Sequence, residues 1–144
     1  MSGIVFDQVN LVVHNMEETL TFYRRLGLEF PDSAIWRTPS GVHHVTLTSG
    51  TEVGVEADSR ALARRYNAGY AAERGRVLLG FHVESREAVD ALYAEMIGHE
   101  HQGLQAPYDA FWGARYAIIE DPDGNPVGLM SPVDDARRSP PPAI

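Results

Sequence analysis

The chain has 144 residues, 44% of them hydrophobic, enough for one domain with a real core and too apolar for a disordered chain. A formal charge of −8 argues against a nucleic-acid phosphate track and against anionic membranes, and the absence of cysteine excludes disulfides, thiolate metal sites and cysteine nucleophiles. No apolar run approaches the length that spans a bilayer and no basic-then-apolar leader opens the chain, so the expectation is a cytoplasmic protein.

The first element, Val5 to Val13, alternates. Val9, Leu11 and Val13 fall on one face and Gln8, Asn10 and Val12 on the other, which predicts a strand. Asn15 can cap the helix that follows, with Glu18 placed to reach back. Met16, Leu20, Tyr23 and Leu26 form its apolar face, and Gly27 can end it. Three strands are expected next, near Ala34 to Thr38, Val42 to Thr48 and Glu52 to Ala57.

The pattern then returns. Val77 to Val83 is a second strand with Leu79, Phe81 and Val83 on one face, and Ser85 caps a second helix. Val89, Leu92, Tyr93, Met96 and Ile97 form its stripe, and Gly98 closes it. Phe22-Tyr23 of the first half falls on Leu92-Tyr93 of the second, and Gly50-Thr-Glu-Val-Gly-Val aligns with Gly124-Asn-Pro-Val-Gly-Leu. Strands near Glu100 to Gln105, Ala114 to Glu120 and Pro126 to Met130 complete the second half. The reading is α+β: tandem βαβββ modules forming a curled mixed sheet around a cleft. Module one covers 4–57, a partly helical linker 58–76 and module two 77–132, all in one domain over 1–132. Residues 133–144, with Ser-Pro-Pro-Pro, read as a disordered tail.

Three stretches carry a family likeness: Asn15 to Phe30 (NMEETLTFYRRLGLEF), Phe111-Trp-Gly-Ala-Arg-Tyr, and the turn Asp121-Pro-Asp-Gly-Asn-Pro. In this order, inside a tandem βαβββ pattern, they resemble the vicinal-oxygen-chelate superfamily of glyoxalases, bleomycin-resistance proteins and ring-cleaving dioxygenases. The resemblance covers roughly residues 4 to 132. It implies a cleft holding a divalent metal on four side chains, one from the first and one from the last strand of each module. The corresponding positions here are Gln8, Gly54, Leu78 and Gly128, of which only Gln8 could ligate, through one neutral amide oxygen. The expectation is therefore the metal-free branch, with no metal and no other cofactor. That branch implies a homodimer.

Parity along the strands directs Gln8, Asn10, His44, Thr46, Leu78, Gly80 and His82 into the cleft. Gly54 and Gly128 are expected to clear its floor, flanked by Glu52, Glu56 and Met130. The resemblance implies that Trp36, Tyr108, Phe111, Trp112 and Tyr116 border it, with Tyr116 equally suited to the core. The candidate ligand-binding set is Gln8, Trp36, His44, Gly54, His82, Phe111, Trp112 and Gly128. His43 and His44 point opposite ways and cannot chelate together. No nucleophile elbow, P-loop or dinucleotide fingerprint is present. The leading expectation is a binding protein that sequesters an aromatic or amphipathic small molecule, such as an antibiotic, without nucleic-acid or membrane partners. The alternative is a lyase, isomerase or dioxygenase-like enzyme using a relocated His44, Glu56 and His82 site. A third is an accessory protein that keeps only the fold.

Overall fold

A computed structural model describes residues 3–26, 28–48, 52–71, 77–120 and 125–144. The expected helix stop at Gly27, the repeat segment at Gly50-Thr51, linker residues 72–76 and the whole Asp-Pro-Asp-Gly turn lie outside the described residues.

Module one runs β1 (Ile4–Val13), α1 (Met16–Leu26), β2 (Ile35–Thr38), β3 (Gly41–Thr46) and β4 (Gly54–Ser59). Module two repeats it as β5 (Val77–Val83), α3 (Arg86–Gly98), β6 (Gly103–Asp109), β7 (Arg115–Glu120) and β8 (Pro126–Met130), and α2 (Arg60–Tyr66) joins the two. The caps follow the sequence. The Glu18 amide donates to Asn15 Oδ1 at 3.2 Å, and the Ala88 amide donates to the Ser85 hydroxyl at 3.0 Å.

All eight strands form one sheet in the order β2-β3-β4-β1-β5-β8-β7-β6. β1 and β4 are parallel, as are β5 and β8, and the modules meet at the antiparallel pair β1 and β5. Helices α1 and α3 cover one face. Leu20 of α1 is buried among Val42, Val45, Leu47 and Ala57, and Val89 of α3 among Val83, Ala117, Ile119 and Leu129. The sheet curls away from them until its two ends approach: the rings of Trp36 on β2 and Phe111, just past β6, lie 5.9 Å apart.

Several boundaries differ from expectation. β4 runs two residues past Ala57, so Asp58 and Ser59 belong to the strand and not to the linker. β6 begins at Gly103 because the amides of Glu100 and His101 still bond back to Ile97 and Met96 carbonyls of the helix end, with Glu100 at φ 65°. The tail expected to be disordered folds back: Asp135–Arg137 form a 3-10 turn, the Ser139 amide donates to the Phe111 carbonyl at 3.0 Å, and Thr38 donates to the Ile144 carbonyl. Ile144 packs on the cleft-side core, which anchors a segment whose composition alone gives no reason for order.

Candidate functional site

The concave face is partly filled by α2. Leu62, Ala63 and Tyr66 are buried there with Val12, Leu78, Tyr116 and Ile118. Beside them lies a cavity of about 310 Å³. Module one supplies its polar floor through Gln8, Asn10, His44, Glu56 and Asp58, and module two its wall through Phe111, Trp112, Tyr116 and Met130. Trp36, Leu62 and Tyr66 complete the lining, with Val133 and Arg138 of the folded-back tail at the rim.

The floor is one hydrogen-bonded network centred on Asp58, which is 1% exposed. Strand pairing sets it level with His44 on one side and Val12 on the other. Its carboxylate accepts from Asn10 Nδ2 at 2.9 Å, from the Tyr66 hydroxyl at 3.0 Å and from His44 Nδ1 at 2.5 Å. Gln8 Nε2 in turn donates to Asn10 Oδ1 at 2.7 Å. The other nitrogen of His44, Nε2, lies 3.2 Å from Glu56 Oε2. Burial works against the charged imidazole, but the hydrogen bond and charge of Asp58, with the charge of Glu56, outweigh it and raise the pKa of His44 above 6.5. Burial likewise raises Glu56, partly offset by His44 and reinforced by Asp58 and Asp7. Burial and the neighbouring Asp58 hold Tyr66 protonated far above its usual range, so it stays a donor.

The wall is a continuous run of tilted and edge-on rings. Trp36 touches Phe111, Phe111 meets Trp112 at 5.2 Å, Trp112 meets Tyr116 at 5.1 Å, and Tyr116 meets Tyr66 at 6.2 Å. The Trp112 indole N–H points at Met130 Sδ, 3.2 Å away.

Five of the eight expected ligand-binding residues converge here: Gln8, Trp36, His44, Phe111 and Trp112. Gly54, Gly128 and His82 do not line the cavity. Gly128 was expected to clear floor space, but a Cβ there would meet the Tyr116 hydroxyl oxygen at 2.8 Å and Leu78 Cδ2 at 3.1 Å, so its space is already filled by the protein. Gly54 lies beside Gln8 in the strand pairing. His82 sits level with Met130 near the end of β5 and does not join His44 and Glu56. Asp58 takes the place in the cluster expected for His82. It escaped the sequence reading because the strand was ended at Ala57, although the alternation Gly54, Glu56, Asp58 continues unbroken.

The fit of a divalent metal can be judged from the donors. The residue of β5 level with Gln8 is Gly80, not the expected Leu78, because Asn10 pairs Leu78. The row across the four central strands is therefore Gly54, Gln8, Gly80 and Gly128. One amide and three glycines do not make a metal site. Among the described residues no group of three His, Asp or Glu side chains is disposed to hold an ion. Asp58 and Glu56 approach opposite nitrogens of His44 and so clamp the ring rather than chelate with it.

The family model for the glyoxalase/bleomycin resistance protein/dioxygenase superfamily matches residues 5–129. The chain belongs to that superfamily. Solved structures of similar fold include a hypothetical protein from Bacillus halodurans C-125, 16% identical with a TM-score of 0.62 over 91% of this chain and 96% of that one. A superfamily member from Vibrio splendidus 12B01 is 14% identical, with a TM-score of 0.56 over 90% of this chain and 97% of the other. The 2,3-dioxygenase LapB from Pseudomonas sp. KL28 is 16% identical, with a TM-score of 0.61 over 90% of this chain but only 42% of the dioxygenase. Among curated proteins none matches the sequence significantly. Among the described residues no helix is long and apolar enough to cross a membrane.

Proposed function

We propose that this superfamily member is a cytoplasmic small-molecule binding protein that works without a metal, sequestering a flat aromatic or amphipathic compound such as an antibiotic. The observation that supports it most is the pairing of one unbroken aromatic wall with one polar floor around a cavity of about 310 Å³. Largely apolar concavities with a few fixed polar groups are the usual form of small-molecule sites. A thermal-shift screen with planar aromatic compounds tests the reading, because a ligand bound only by the native state raises the apparent melting temperature. Trp112→Ala is expected to weaken a ligand so found by more than about tenfold while the chain still folds. Unfolding would assign Trp112 to the core. Unchanged affinity and unchanged stability would place the pocket elsewhere.

One observation favours a second reading, an enzyme of lyase, isomerase or dioxygenase-like type acting through His44 and Glu56. Asp58 fixes the orientation of His44 as an acid–base residue requires. Under this reading a compound found in the screen is consumed on incubation and new resonances appear in its NMR spectrum. Under the first it is recovered unchanged.

A further inference from the structure

The hydrogen-bond directions in the floor can be followed outward from Asp58. A carboxylate only accepts, so Asn10 must turn its Nδ2 toward Asp58 and its Oδ1 toward Gln8. Gln8 Nε2 then donates to Asn10, which leaves Gln8 Oε1 as an acceptor that a guest can use. Tyr66 spends its proton on Asp58, the Trp112 indole N–H is directed at Met130 Sδ, and His44 is held between Asp58 and Glu56. Glu56 engages His44 through Oε2, and among the described residues no side chain hydrogen-bonds its other oxygen. The donors ordered by Asp58 are aimed at acceptors within the protein, and Glu56 and Gln8 Oε1 are acceptors left to a guest.

Charge runs the same way. The floor sets two carboxylates against one imidazole, and Asp7 adds a third negative charge close enough to act on Glu56. The basic side chain among the lining residues, Arg138, stands at the rim and is paired with Asp135 at 2.6 Å. The wall opposite is built of aromatic rings, whose π charge attracts cations.

We infer that the ligand is an organic cation: a flat apolar body on the aromatic wall carrying a protonated amine or amidine that donates to Glu56 and to Gln8 Oε1. This rests on the reading of the cleft as a binding site. Three probes that share one tricyclic body separate the two claims: 9-aminoacridine as the cation, acridine as the neutral form and acridine-9-carboxylate as the anion, each titrated at neutral pH against tryptophan fluorescence. The cation is expected to bind about tenfold tighter than acridine or more, the range of a hydrogen bond to a charged group. Glu56→Gln is expected to collapse that ratio, and Glu17→Gln, on exposed α1 surface, to keep it. Equal or tighter binding of acridine or the carboxylate overturns the cationic class while leaving the binding reading intact. Collapse of the ratio in Glu17→Gln, or its survival in Glu56→Gln, also overturns it, since the preference would then come from the general −8 surface. Failure of all three probes to bind overturns both claims.

Discussion

Asp58 gathers three donors while almost shut off from water, and that concentration makes it the residue on which the floor depends. Truncating one member of such a group strands the others without partners, which is the costly way to break a buried polar cluster. Asp58→Ala is expected to lower stability by about 3 kcal/mol or more, read from the urea midpoint. His44 gives the network a pH signature. Its folded pKa is raised above the ordinary 6.5, so its contribution is fully present below pH 6.5 and is lost as pH rises through the folded value. Glu56 is also raised, from 4.5, so its contribution has the same sign and fades from a lower pH. Stability should therefore fall from pH 6 to pH 9. His44→Asn should flatten the part of that decline above 6.5, as urea midpoints measured across the range will show.

At the scale of elements, α2 depends on its first residues. The Ser59 hydroxyl accepts from the Leu62 amide at 3.0 Å and lies 2.7 Å from His43 Nδ1, so one side chain caps the helix and ties it to β3. Ser59→Ala should cost about 1 kcal/mol by chemical denaturation and loosen the segment that carries Leu62 and Tyr66 into the cleft. The elements legible in the sequence are β1, α1, β5 and α3, which have a strong period or a side-chain cap, and β8, which the internal repeat marks. The interior of the cleft was legible only by parity. That placed Gln8, Asn10 and His44 on the cleft face. Parity also held across the β1–β5 seam, where Leu78 and Gly80 share the cleft face; it could not fix the register, and the strands pair Gly80 rather than Leu78 with Gln8. His82 is a different failure. Parity sets the face a side chain points to, but not how far along the strand the cavity extends. The folded tail had no local signal, because its order comes from contacts with Thr38 and Phe111, far away in sequence.

For the whole molecule, the helices leave part of the sheet's outer face uncovered along the central seam. Phe6 on β1 and Val77 on β5 are 37% and 41% exposed. We expect this face to meet a second copy, so light scattering should give twice the mass of the chain, and Val77→Glu should shift the equilibrium to single chains. A monomer at micromolar concentration in the unaltered protein would count against this. The cavity itself is lined by both modules of one chain. That shared lining bears on ancestry. Two halves with the same topology imply a duplicated gene, and a duplicate is free to specialise once its twin carries the original task. Here one half supplies the hydrogen-bonding side chains and Trp36, while the other supplies the remaining rings of the wall and a thioether. Neither half alone retains a complete site. The ladder between β1 and β5 has thus become the joint across which selection must now treat the pair as a single inherited unit.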